Sequence, residues 1–224
     1  MCSMVDSERV TAQVVIIDDH QMFSESLARL LSDEEDITVL GVADDAERAL
    51  SVVDELRPNV VLVDYLMPGR DGVEITAEIK RRHPQTMVVM VTSSVDDRVL
   101  LAAIDAGCSG FLTKDRAAVQ VVSAVRAAAA GEALISPAQL ARLLPRLSRT
   151  HRAVGADLTD RERELLKHLV IGGSNKVIAE ELHLSVNTVR NYVQSVLRKL
   201  GAHSKLEAVA TAVREGIIDY PPAG

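Results

Sequence analysis

Five short runs of branched apolar residues dominate the first 130 positions of this chain. Residues 13–18 (QVVIID), 37–42 (ITVLGV), 59–64 (NVVLVD), 86–91 (TMVVMV) and 109–112 (SGFL) are almost free of polar interruption. A strand with one wet face alternates polar and apolar; a continuous run of this length fits a strand covered on both faces, as in a parallel sheet. The intervening segments change to helical spacing. Leu27, Leu30 and Leu31 mark the first, and Ala49, Leu50, Val53 and Leu56 the second. Val73, Ile75 and Ile79 mark the third, Val99, Leu100, Ala103 and Ile104 the fourth, and the fifth runs through Val119, Val122, Val125 and Arg126. Five β-α repeats predict a doubly wound five-stranded parallel sheet, an α/β domain over 11–130. Ligands of such folds sit at the carboxyl ends of the strands, near the point where strand order reverses.

Polar residues stand at those ends. Asp18 and Asp19 follow the first run, Asp64 closes the third, Thr92 follows the fourth and Lys114 follows the fifth. A single Asp at a strand end is most simply a helix cap. Five such residues converging on one sheet edge make a coherent device. Carboxylates crowded together repel unless a cation lies among them, and hard oxygen donors suit magnesium. A carboxylate beside that metal can attack a phosphoryl group, because phosphoryl transfer is catalysed mainly by positioning and charge neutralisation. The Lys114 ammonium can neutralise the arriving phosphate, and the Thr92 hydroxyl can hydrogen-bond to one of its oxygens.

After residue 130 the pattern changes. Residues 131–156 read as a linker in which Ser136-Pro137 opens a short helix. Residues 157–218 are all helical. Thr159 and Glu162 form a capping box before the stripe Leu165, Leu166, Leu169 and Val170. Ser174 caps a second helix running to about His183, Ser185 a third from Val186 to Leu200, and Ser204 a fourth. Two short helices joined by a tight turn describe a helix-turn-helix. In the third helix Val189, Val193, Val196, Leu197 and Leu200 form the inward face. Asn187, Arg190, Asn191, Gln194 and Arg198 lie on the other side, and Arg, Asn and Gln are the residues that read guanine and adenine edges. Arg198 and Lys199 are better placed for phosphates. A polar outer face can simply solvate a helix. Here, however, Arg190, Arg198, Lys199 and Lys205 gather positive charge, with no acid from Val186 to Lys205.

Composition narrows the function. The 224 residues carry a net charge of −7, so non-specific electrostatic binding by the whole molecule is not expected. The charge is unequally divided: 12 basic against 22 acidic residues up to Ala130, four against one over 131–156, and nine of each from Asp157 onward. Two Phe, three Tyr and no Trp are too few for a base-stacking platform on single strands. Two cysteines argue against a disulfide framework or a zinc site. With no spanning segment and no signal peptide pattern at the N-terminus, a cytoplasmic location is expected.

The stretches VVIIDDH, VVLVDYLMPGRDG, MVVMVTS and AGCSGFLTKD resemble the receiver domain of two-component response regulators, a flavodoxin-like fold. That resemblance implies Asp64 as phosphoacceptor and a magnesium ion held by Asp18, Asp19, Asp64 and the backbone carbonyl of Leu66. It implies Thr92 and Phe111 as switch residues and Lys114 as the phosphate-binding lysine, with Phe111 turning inward on phosphorylation. Residues 158–209 resemble the LuxR-type helix-turn-helix, and the pair places the chain with the NarL/FixJ class. The expected function is a phosphorylation-dependent transcription regulator, without enzymatic activity beyond receiver self-phosphorylation and self-dephosphorylation. The expected partners are a histidine kinase, double-stranded promoter DNA and a second copy of the chain when active. The DNA set implied is Asn187, Thr188, Arg190, Asn191, Gln194, Arg198, Lys199 and Lys205. Alternatives include a receiver serving as a phosphate-independent dimerisation module and a ligand-sensing LuxR-type receptor, which the scarcity of aromatics disfavours. An aspartyl-phosphate phosphatase usually needs a second Asp two residues after the nucleophile, where this chain has Leu66.

Overall fold

The computed structural model describes residues 11–93, 96–133, 135, 143, 155 and 157–218. Its first part alternates strand and helix: β1 (Ala12–Ile17), α1 (Gln21–Ser32), β2 (Ile37–Ala43), α2 (Ala46–Leu56), β3 (Val60–Asp64), α3 (Gly72–Arg82), β4 (Met87–Thr92), α4 (Asp97–Asp105), β5 (Gly110–Thr113) and α5 (Lys114–Ala129). The strands are all parallel in the order β2-β1-β3-β4-β5. Each apolar run is therefore a strand, within a residue or two of the expected ends.

Alternate side chains of the strands feed two cores. Val14, Ile16, Leu62, Val89 and Val91 pack with Leu27 and Leu31 of α1 and with Val121, Ala124, Val125 and Ala128 of α5. Val15, Ile17, Val61, Val63, Val88 and Met90 pack on the other face with α2, α3 and α4. One expected stripe is only partly met. Val119 stands 86% exposed, while Val122 and Val125 pack inward as expected, joined by Val121, Ala124 and Ala128. In a segment this rich in Ala and Val, helical spacing is met by more than one face, and the sheet selects between them.

The second part comprises α6 (Asp160–Val170), α7 (Asn175–Glu181), α8 (Val186–Leu200) and α9 (Lys205–Arg214). The capping box at Thr159 and Glu162 forms, and Ser174, Ser185 and Ser204 each accept from a backbone N–H of the helix they precede. The short helix expected at Ser136-Pro137 lies outside the described residues.

The two parts share one apolar core, which continues from Leu100, Ile104 and Cys108 to Leu206, Ala208 and Ala212. Polar bonds cross the same joint. Lys80, 2% exposed, donates to the carbonyls of Pro84 and Thr86 and, at 3.1 Å, to that of His203. The Ser204 hydroxyl donates to the carbonyl of Cys108 at 2.9 Å, and Arg214 pairs with Asp105. Gly107 lies between these groups with φ +89, and a Cβ there would come within 3.1 Å of both His203 and Lys80. No helix among the described residues is long and apolar enough to cross a membrane.

Candidate functional site: an acidic pocket and a polar helix face

The strand order reverses between β1 and β3, so residues leaving these neighbouring strands meet at one edge. Asp18 and Asp64 arrive there with 2% exposure each. Lys114, the first residue after β5, extends its ammonium between them, 2.7 Å from Asp18 Oδ2 and 2.8 Å from Asp64 Oδ2. Burial pushes the Asp64 carboxyl above its ordinary pKa, and repulsion from Asp18 adds to the effect. The hydrogen bonds from Lys114 and from the Leu66 backbone N–H oppose it. For Lys114, burial alone would lower the pKa; the bonds to Asp18 and Asp64 outweigh it and raise the net value. Two buried carboxylates thus share one ammonium, with Asp19 beside them.

This donor set fits a divalent cation. Asp18, Asp19, His20 and Asp64 each offer a ligand atom, all within 4.8 Å of one another. Three of the four are carboxylates, the hard oxygen donors that magnesium takes. The sequence reading omitted His20 from this set. Its Nδ1 lies 2.9 Å from Asp19 Oδ1 and 3.3 Å from Asp18 Oδ1.

Thr92 ends β4, one residue beyond the partner of Asp64 in the strand register, and is buried. Phe111 is 9% exposed. It already lies inside, so the inward turn expected on phosphorylation has no outward starting position here. Leu66 directs its N–H at Asp64 while its side chain is exposed. Two further contributors carried no chemical signal in the sequence. The Lys114 ammonium sits over the Phe23 ring, 4.7 Å from its centroid, an attractive arrangement. Gly72 donates its N–H to the Tyr65 carbonyl, and a Cβ at this position would fall 2.3 Å from the Asp64 carbonyl. Only glycine lets α3 start this close to the acidic residue.

In the second part, α8 buries Val189, Val193, Val196 and Leu200 and exposes Asn187, Arg190, Asn191, Gln194 and Arg198. The remaining three of the expected DNA set are held internally. The Thr188 backbone N–H donates to Ser185 Oγ, and the two hydroxyls lie 2.8 Å apart. Lys199 donates to Glu162 at 2.7 Å and to the Asp157 carbonyl at 2.9 Å. Lys205 is buried and pairs at 2.7 Å with Glu132 of the segment leaving α5.

Glu162 does more than close its capping box. Besides Thr159, its carboxylate accepts from Ser195 at 2.7 Å and from Lys199, both on α8. Burial alone would raise its pKa, but these bonds, led by Lys199, hold it down at about 2. The spacing in the sequence revealed the cap and not the bridge to α8.

Comparison with known proteins agrees with this geometry. The family profile described as "Response regulator receiver domain" matches residues 14–126, and that of "Bacterial regulatory proteins, luxR family" matches residues 156–212. The response regulator protein VraR of Staphylococcus aureus is 34% identical over 209 residues, covering 93% of this chain and all of VraR. Among solved structures, the signal receiver domain of the NarL response regulator from Mycobacterium tuberculosis superposes with a TM-score of 0.52 at 34% identity, over 55% of this chain and 98% of that one. A structure of two RcsB dimers bound to two parallel DNAs gives 0.54 at 25% identity, over 91% and 98%. The chain belongs to the two-component response regulators of the NarL/FixJ class, with an N-terminal receiver and a C-terminal LuxR-type helix-turn-helix DNA-binding domain.

Proposed function

We propose that Asp64 accepts a phosphoryl group from a partner histidine kinase and that this transfer controls how the C-terminal domain engages promoter DNA. The observation that carries the reading is the convergence of two buried carboxylates on one ammonium, Lys114 reaching Asp18 and Asp64 at 2.7 and 2.8 Å. Asp18, Asp19 and Asp64 would hold a magnesium ion, which would supply positive charge to the phosphoryl oxygens. An Asp64 carboxylate oxygen forms the new O–P bond as the N–P bond of the phosphohistidine breaks, the imidazole keeping the electron pair. Lys114 then exchanges its bond to the Asp64 carboxylate for one to the phosphate. Thr92, at the end of the adjacent strand, offers its hydroxyl to a phosphate oxygen. Burial of Asp64 keeps competing water away.

At the other end, Arg190, Asn191 and Gln194 read base edges in the major groove, with Asn187, Thr188, Arg198, Lys199 and Lys205 nearer the phosphates. Two copies on an inverted repeat fit a domain of this kind, and the structure of RcsB dimers bound to DNA supports binding as a dimer. Intact mass after incubation with acetyl phosphate and Mg2+ tests the receiver half. Wild type gains one phosphoryl group and Asp64→Asn gains none; equal labelling of the variant removes Asp64 from the role.

A further inference from the structure

The pair Glu132–Lys205 is unlike the other ion pairs of the joint. Lys205 is the first residue of α9, and its side chain is only 5% exposed; Glu132 is 21% exposed. The two carboxylate oxygens divide their work. One accepts from the Lys205 ammonium at 2.7 Å, and the other accepts from the backbone N–H of Asn175 at 3.0 Å. An anion of the first part is therefore clasped by a cation and an amide of the DNA-binding part. The segment that receives it has no acid of its own from Val186 to Lys205. Arg190, on the exposed face of α8, lies near enough for its charge to act on Lys205. Beside the pair is a cavity of about 230 Å³ lined in part by Glu132, Ser174, Lys205 and Leu206, so the two parts are not packed tightly around it.

The position of Glu132 is set by the chain. Gly131, at φ +75, turns the backbone after α5, and the Glu132 N–H bonds back to the carbonyl of Ala127. The same helix begins at Lys114. One helix thus has the phosphate-binding lysine at its start and this glutamate just past its end.

We propose that Glu132 is an internal stand-in for a DNA phosphate: its carboxylate occupies Lys205 in the joined state, and its withdrawal frees that ammonium for the backbone of duplex DNA. The inference rests on the C-terminal domain being the DNA binder and adds how that binding is held in check. Burial lowers the pKa of Lys205 and the charge of Glu132 supports it. A phosphodiester offers this cation the same negative charge as the carboxylate does.

The experiment measures affinity for a mixed-sequence DNA duplex against salt concentration, using full-length wild type, Glu132→Gln, Lys205→Met and the double variant, all unphosphorylated. Each phosphate contact steepens log K against log[salt] by about 0.9. Glu132→Gln is expected to bind roughly 8-fold tighter at about 0.1 M salt, with a slope steeper than wild type by about 0.9. Lys205→Met abolishes that gain, so the double variant matches Lys205→Met alone. Thermal melts of each variant establish that it is folded. Equal slopes for wild type and Glu132→Gln overturn the proposal, and so does a gain that survives Lys205→Met. If no chain binds duplex DNA either before or after phosphorylation with acetyl phosphate and Mg2+, the DNA-binding reading itself fails, a result distinct from binding with unchanged slopes.

Discussion

Glu162→Gln isolates the bridge that holds the reading helix. The carboxylate accepts from Thr159, Ser195 and Lys199 and has a pKa of about 2 against an ordinary 4.5. At 1.36 kcal/mol per unit that difference is worth about 3 kcal/mol to the folded domain at neutral pH. The pKa is depressed in the folded state, so the contribution is complete above pH 4.5 and is lost as pH falls toward 2. Glutamine keeps one oxygen to accept from Thr159 and turns an NH2 toward the Ser195 hydroxyl, but it removes the charge that Lys199 answers. A loss of about 2–3 kcal/mol is expected, near the lower limit for a broken buried pair because Lys199 is able to turn toward water. Amide hydrogen exchange reads this locally: amides of α8 that open with the domain exchange roughly 100-fold faster in the variant at neutral pH. The gap between variant and wild type closes as pH is lowered through 4.5 toward 2. A change below about threefold, or a gap that persists in acid, would refute the reasoning that this carboxylate's charge fastens α8 to α6.

Gly72→Ala drives a Cβ against the Asp64 carbonyl and is expected to cost about 3 kcal/mol in urea unfolding. It also slows phosphorylation by acetyl phosphate, whereas unchanged labelling would mean that the acceptor loop absorbs the displacement. Ser204→Ala removes both the cap of α9 and the bond to Cys108 across the joint. About 2 kcal/mol is expected from thermal melts, and a loss near zero would mean that the joint is open in solution. Cys108 is fully buried with its thiol pushed up to about 11, so at pH near 8 thiol reagents should leave its peptide unlabelled until urea is added. Rapid native labelling would contradict the buried position.

The receiver was legible because its physics is local. A strand buried on both faces shows itself as an unbroken apolar run, and a polar residue just beyond such a run has few reasons to be there. That places Asp18, Asp64, Thr92 and Lys114 from the sequence alone. In α5, Val122 and Val125 pack inward as the spacing predicts but Val119 does not, because Ala and Val are spread around the helix and only the sheet decides which face is inward. Phe23 and Gly72 join the site through folding contacts that no spacing encodes, whereas His20 directly follows the acidic pair in the chain. The helix caps at Thr159, Ser174, Ser185 and Ser204 follow from rules spanning three residues and formed as read. The joint could not be seen in advance. Lys80 meets His203 and Glu132 meets Lys205 across 123 and 73 positions of chain, and a lysine reads as surface until its partner is placed.

The central claim is that a phosphoryl group on Asp64 sets the affinity of the C-terminal domain for DNA. Duplex binding of the same protein before and after treatment with acetyl phosphate and Mg2+, beside Asp64→Asn treated identically, tests it directly. Wild type is expected to bind more tightly after treatment and the variant to remain unchanged. Equal affinity of fully phosphorylated and untreated wild type would contradict the account and leave the receiver a docking module without a switch.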